Sequence, residues 1–449
     1  MSTIWRPRVR SVGVVLIVIA AAAMATRAVV SAQSSAATGQ VTFTKDVAPI
    51  LQRACQDCHR PGSIAPMSLL TFEDARPWAR SIKQKVSNRE MPPWFIDKNI
   101  GIQKFKKDPS LTDAEVATIA KWVDNGAPMG NAADMPAPRQ FADQNKWAMG
   151  TPDVIIKMPK PYKLEATGPD NFVDVLVDPG FKEDVYVSAI ETKPIGNGFK
   201  VIHHATTQMV EDSDVDPTGI FFNEYAIGKE ADIFPPGAGR LIKAGSKILW
   251  NLHLHPDGEQ TDVQLEMALK VFPKGQTPKY VEFTQHMGDM ADLDLPGGQV
   301  TRTDGYFRLP KPALITAFQP HMHAVGGAMC IEALYPDVRA DSARPGAAKT
   351  QTINCVSHFD FGWSTTYPYA DDVAPLLPAG TVLHVTAWSD NSPLNKFLQT
   401  DPRNWIGSGQ RTIDGMSFAW MSLYYLEESD FQQRLKERQA QTSSQTQQQ

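Results

Sequence analysis

The pentapeptide Cys55-Gln-Asp-Cys58-His59 puts two thiols and an imidazole into one turn of chain. C-x-x-C-H is the attachment pattern of c-type haem: the thiols add across the haem vinyl groups, and the adjacent imidazole becomes an axial ligand of the iron. A small redox disulfide is the other chemistry open to such a pair. A second set of reactive side chains lies further on. Of the ten histidines, six outside this motif fall into three tight clusters: His203-His204, His253-Leu-His255 and His321-Met-His323. Clustered imidazoles on strands are ligands for copper, zinc or iron. On a strand, His321 and His323 point to one face and can share an ion. His203 and His204 point to opposite faces of a regular strand, so both reach one ion only at a strand end or a bulge. His286, His358 and His384 have no partner spacing and read as ordinary histidines.

The elements around these residues divide the chain. From 40 to 128 the pattern is helical. Val47, Ile50, Leu51 and Ala54 keep helical spacing on the approach to Cys55, Thr112-Asp-Ala-Glu115 is a capping box before Val116, Ile119, Ala120 and Val123, and Asn125-Gly126 ends that helix. A helix leading into C-x-x-C-H and a capped helix closing the unit resemble a class I cytochrome c. That resemblance implies a covalently bound haem c held by Cys55, Cys58 and His59, with a methionine as sixth ligand. Met91, in a loop stiffened by Pro92-Pro93, is the first choice; Met67 is the rival, only eight residues after His59.

A linker covers 129–150, rich in proline around Pro128, Pro136 and Pro138. Beyond it, short apolar or alternating runs recur at Phe172–Val177, Val185–Ile190, Lys247–His253, Val263–Val271, Ala313–Phe318, Ile331–Tyr335, Val382–Trp388 and Ser417–Tyr425, separated by Pro/Gly/Asp turns and without a long helix. This pattern predicts two all-β antiparallel jelly-roll sandwiches, over 151–275 and 276–428. The Gln/Ser/Thr-rich stretch 432–449 reads as a disordered tail.

Residues 1–32 read as an export signal: Arg6, Arg8 and Arg10, an apolar run from Val12 to Ala25, then Val30-Ser31-Ala32 as a cleavage site. An uncleaved membrane anchor is the alternative. Either way the rest of the chain is expected outside the cytoplasm, in the periplasm or otherwise exported. Losing this segment removes four arginines and no acidic residue, taking the net charge from -5 to -9, which excludes nucleic acid as a partner. Cys330 and Cys355, the remaining cysteines, are free to pair in an oxidising compartment.

From about Asp153 to Glu427 the order of motifs resembles the copper type II, ascorbate-dependent monooxygenases, the family of peptidylglycine α-hydroxylating monooxygenase and dopamine β-hydroxylase. The matching elements are Val201-Ile-His203-His204, Leu249-Trp-Asn-Leu-His253-Leu-His255-Pro, Ala317-Phe-Gln-Pro-His321-Met-His323 and Met416 before the aromatic run to Tyr425. The resemblance implies two copper ions. His203, His204 and His253 would hold the electron-transfer copper; His321, His323 and Met416 would hold the copper that meets oxygen and substrate, and are the catalytic set. His255 falls outside both sets, as a supporting residue. Two departures stand out. Where the peptidylglycine enzyme clamps a substrate carboxylate with Arg, Asn and Tyr, this chain has Gln319, Phe418 and Trp420, which favours an uncharged, less polar substrate. The many disulfides of the animal enzymes have at most one counterpart here, between Cys330 and Cys355. The expected activity is hydroxylation of a C–H bond of a small molecule by O2, with electrons from an ascorbate-like reductant or redox protein entering through the haem. A non-catalytic haem/copper electron carrier or copper-storage protein is the alternative, and a carbohydrate- or partner-binding sandwich a more distant one.

Overall fold

Thr112 and Glu115 form the reciprocal cap that their spacing predicts: the Glu115 amide donates to the Thr112 hydroxyl at 3.2 Å, and the Thr112 amide to the Glu115 carboxylate at 2.8 Å. The capped helix, Asp113–Asp124, buries Ile119 and Trp122 in one core with Phe43, Val47 and Leu51. Leu51 belongs to Ala48–Ala54, the short helix that delivers the chain to Cys55, and Arg53 on it pairs with Glu115 at 2.8 Å. The computed structural model describes residues 39–446 except 64, 142–145, 212–219, 227–228, 230, 290–291, 337–349, 364 and 410. The expected export segment lies outside the described residues. Among them, no helix is long and apolar enough to cross a membrane.

Past the helical segment the protein is mostly β-sheet. One pair of sheets encloses a core of Ile190, Trp250, Leu252 and Leu269. Its first sheet runs in the order Asn171–Val177, Lys247–Leu254, Ile202–Val210, Ile220–Ala226. The facing sheet is built on Val154–Lys157, Leu265–Val271, Val185–Pro194 and Ala238–Ile242. A second pair encloses Phe318, Met329, Ile331, Val385 and Met421. Here Phe283–Asp289, Ser417–Tyr425 and Ala313–Met322 lie opposite a sheet of Val300–Arg308, Val382–Asp390, Gly326–Leu334 and Thr350–Val356. In both, alternate residues enter the core and the others face outward.

The loop from 92 to 106 leaves the helical core and adds to the edge of Thr350–Val356. The Ile102 amide donates to the Ile353 carbonyl at 2.9 Å and the Asp97 amide to the Cys355 carbonyl at 2.9 Å, while Phe105 stacks on Tyr369 with centroids 5.4 Å apart. The linker is strapped to the helices, through Gln52 Nε2 to the Ala137 carbonyl and Arg139 to Asp57, and contains a helical turn at Ala132–Asp134. Tyr280–Val281 pairs, in parallel, with Ala238 and Gly239, and Tyr280 and Ala238 both pack in the core of the second pair of sheets. Finally, Glu428–Thr446 is a helix, where the sequence reads as disordered from 432. Buried Phe431 anchors it, and Arg434 donates to the Tyr424 hydroxyl at 2.9 Å.

Cys330 and Cys355 are directly opposed on neighbouring strands and form a disulfide, closing a sequence separation of 25. Loop-closure entropy makes such a crosslink worth about 3–4 kcal/mol. Replacing both cysteines with alanine is therefore expected to lower unfolding stability by that amount in a denaturant titration; an unchanged midpoint would contradict it.

Candidate metal centres

His203 is the extra residue of a β-bulge. Pairing of Ile202–Val210 with Lys247–Leu254 shifts register between Ile202, opposite Leu254, and His204, opposite His253. The bulge lets consecutive histidines turn to one side, as a shared ion demands. Ligand nitrogens of His203, His204 and His253 all lie within 4.8 Å of one another, and the two Nδ1 atoms of His203 and His204 are 3.3 Å apart. Two lone pairs at that distance repel unless a proton or a cation sits between them, so the donor set fits a metal ion. The sequence predicts this triad, and the fold brings it together.

The second set lies on the second sandwich, on the sheet of Phe283–Asp289, Ser417–Tyr425 and Ala313–Met322. His321 Nε2 is 3.1 Å from the Met416 sulfur, and the His321 and His323 rings are 5.7 Å apart. His323 Nδ1 is 3.1 Å from the Asp414 carbonyl, which only an N–H satisfies, leaving Nε2 as a lone pair. Two imidazoles and a thioether fit a soft cation.

Strand alternation explains why the sets face each other. On the first sheet, Trp250, Leu252 and Ala205 point into the sandwich core, so His253, His204, Thr206 and Glu224 point out. On the second, Phe318, Met322, Ala419 and Met421 point in, so Gln319, His321, Phe418 and Trp420 point out. The two outward faces pack together. Gln319 Nε2 donates to Glu224 Oε2 at 2.8 Å, Phe221 stacks on Trp420 at 4.6 Å, and buried Arg240 bridges to Glu282 and Ser422, each at 3.0 Å. Phe221, Met416, Phe418 and Trp420 form a separate apolar cluster beside His321.

Burial governs the charge state of these histidines. It lowers His203 to about 4, with the charge of His253 adding to the effect, and His321 to about 3, with His323 and His286 adding. His204 falls well below its ordinary value, from burial first and then from His253, His203 and, across the interface, His321. In His253 burial outweighs the opposing pull of Asp170. All four are neutral at physiological pH, the form in which imidazole binds metal. The sign of the linkage follows: the unfolded chain takes up protons first, so metal-free protein loses stability as pH falls from about 6.5 toward 4. At pH 5 the loss is about 2 kcal/mol for each of His203 and His321. Thermal melts of the metal-free protein between pH 7.5 and 5 check this, and an unchanged melting temperature would contradict it.

Several contributors carry no local sequence signal. The loop after Thr350–Val356 serves both centres, with Trp363 at 5.0 Å from the His203 ring and Phe361 at 6.3 Å from His323. His286, which the sequence leaves as ordinary, packs on Phe418 and Trp420 at 5.1 and 5.9 Å, because it pairs with Trp420 in register. His384 lies elsewhere, held by Asp304 and Glu332.

At the Cys55–His59 turn, the His59 amide donates to the Cys55 carbonyl at 3.0 Å, and His59 Nδ1 is 3.2 Å from the Met67 carbonyl, which leaves Nε2 as a lone pair. Burial pushes both thiols up to about 12, with Cys58 adding to it at Cys55 and Asp57 at Cys58. Met67 packs in the helical core, whereas Met91 lines a small cavity with Pro92, Trp94 and Leu111. Tyr225, paired with Ala205 beside His204, is within electrostatic reach of Cys58 and Arg60.

No protein-family model and no curated protein sequence matches the chain. Among solved structures it is similar to the major capsid protein P2 of bacteriophage PM2, at 10% identity over 61% of this chain and 98% of that one, with a TM-score of 0.24. It is also similar to a fucolectin from striped bass serum, at 8% identity over 64% and 89%, with a TM-score of 0.15. Likenesses this faint carry no argument about what the chain does.

Proposed function

We propose that this chain is an exported monooxygenase that hydroxylates a C–H bond of a small, uncharged molecule with O2, taking electrons through an N-terminal cytochrome c domain followed by two jelly-roll sandwiches. One observation carries the reading: three histidine nitrogens converge on one sheet, and His321 of a His-x-His pair meets the Met416 sulfur on the outward face of the sheet packed against it. Copper bound by His203, His204 and His253 and by His321, His323 and Met416 would supply reduction of O2 and oxygen insertion, and haem on Cys55, Cys58 and His59 would supply single electrons.

The chain's own residues prepare that chemistry. Buried neutral imidazoles offer lone pairs without first losing a proton. Phe221, Phe418 and Trp420 wall the His321 side with aromatic surface and keep water from it. Gln319 is committed to Glu224, so it is not free to clamp a carboxylate as an arginine would. The Met67 carbonyl holds His59 Nδ1 and the Met67 side chain packs in the helical core, so Met91 would be the residue to supply the sixth ligand of a bound haem. Met91→Ala is accordingly expected to change the low-spin optical spectrum and Met67→Ala to leave it intact; the reverse pattern would exchange their roles. Replacing Cys55 and Cys58 with alanine is expected to abolish haem staining on denaturing gels.

The function is tested by metal and haem analysis of the exported protein, followed by O2 uptake with a reductant across a substrate panel. Two coppers, one haem and substrate-dependent uptake support it. Redox-active haem and copper without substrate-dependent uptake would make the chain an electron carrier.

A further inference from the structure

Asp170 lies between two imidazoles. Its Oδ2 is 2.7 Å from His253 Nε2, and its Oδ1 is 2.7 Å from His255 Nδ1. A carboxylate only accepts, so each ring presents an N–H to it. For His253 this settles the tautomer: the proton is on Nε2, and Nδ1 is a bare lone pair. That Nδ1 is buried and has no hydrogen-bond partner, although the His253 side chain is only 6% exposed. Phe172, directly opposite His253 on the neighbouring edge strand, stacks on the ring at 4.4 Å and 13° and holds its plane. His255 is 66% exposed and outside the convergent group, so the same carboxylate grips one inward and one outward histidine.

We infer that Asp170 is the positioning residue of the His203/His204/His253 centre, fixing His253 as its Nε2–H tautomer and so making Nδ1 the donor atom. This rests on the metal-centre reading proposed above. Without the carboxylate the ring is free to carry its proton on Nδ1, which would aim an N–H where a cation must sit. An asparagine at 170 favours that outcome, because its amide can donate to Nε2 and stabilise the opposite tautomer. Outer partners of ligating histidines act in this way at metal sites generally, and their loss weakens binding about 10- to 100-fold.

The test is equilibrium dialysis of the full exported chain against chelator-buffered Cu(I), with bound copper read by mass spectrometry. Asp170→Asn and Asp170→Ala are expected to weaken one of two copper equivalents about 10- to 100-fold. Asp174→Asn is the charge control: it removes the same charge four residues further on, from the edge strand Asn171–Val177 that Asp170 precedes, where Asp174 accepts from Asn251, and is expected to shift affinity less than about threefold. Pulsed EPR of the Cu(II) form adds a signature that a general loss of stability would not produce. The coupling from the remote, non-coordinating nitrogen of one imidazole should change in Asp170→Asn and stay unchanged in Asp174→Asn. If His253→Ala costs no copper equivalent, the metal-centre reading fails and this inference with it. If His253→Ala loses one equivalent but Asp170→Asn keeps wild-type affinity and the wild-type remote-nitrogen signal, the role of Asp170 is overturned and the centre stands.

Discussion

His321→Ala and Met416→Ala variants are expected to lose O2-dependent product formation by at least about a hundredfold while keeping one copper equivalent and the haem. The reason is spatial. His321, His323 and Met416 lie on the Ala313–Met322 strand, just beyond its end and just before Ser417–Tyr425, whereas the other three donors lie on or beside the bulge of the facing sheet. Removing one donor from the second set leaves the first set whole. His203→Ala is expected to have the opposite signature, with the second equivalent retained and reduction by the haem slowed, because in the proposed function this site receives electrons first. Copper analysis and single-turnover reduction of each variant separate these outcomes. A Met416→Ala protein with full turnover would remove that residue from the site.

Gly101→Ala is expected to release the docking loop from the second sandwich. Gly101 has φ +65°, and a Cβ there would stand 1.8 Å from the Ile353 carbonyl oxygen, a backbone atom that cannot swing aside. The left-handed conformation alone costs an alanine about 1–2 kcal/mol. Relieving the overlap also strains the Ile102–Ile353 bond and the 2.7 Å bond from Asn354 Nδ2 to the Ile102 carbonyl, each worth about 1 kcal/mol. A local loss of about 3–4 kcal/mol should appear as proteolytic cleavage and fast hydrogen exchange confined to residues 94–106. Protection equal to wild type would show that the contact is not what holds the helical segment in place.

The legible parts of this protein are those written in short spacings. The Cys55–His59 turn, the Thr112 cap and the need for a bulge at His203-His204 all follow from residues within five positions of each other. Strands such as Lys247–Leu254 announce themselves because Ile248, Trp250 and Leu252 alternate into a core. Ile202–Val210 does not, since its outward face carries the polar His204, Thr206 and Gln208 and breaks the apolar rhythm. Val300–Arg308 is hidden for a related reason: as an edge strand its residues are alternately exposed and only partly buried, with no apolar face to betray it. The partners of the histidines were illegible because they are matters of register and long-range packing. Asp170 is more than eighty positions from His253, and Trp363 more than a hundred and fifty from His203. The terminal helix misleads by composition, since a Gln-rich stretch is held by Phe431 and two arginines against a surface formed elsewhere in the chain.

The most direct test of the central claim is turnover under 18O2 with a reductant, reading the product by mass spectrometry. A monooxygenase places one atom of 18O in the hydroxylated product and the other in water, and His321→Ala should abolish the labelled product. Reductant oxidised with O2 consumed, yet no 18O in any product, would contradict the account and leave a haem and copper protein that carries electrons without inserting oxygen.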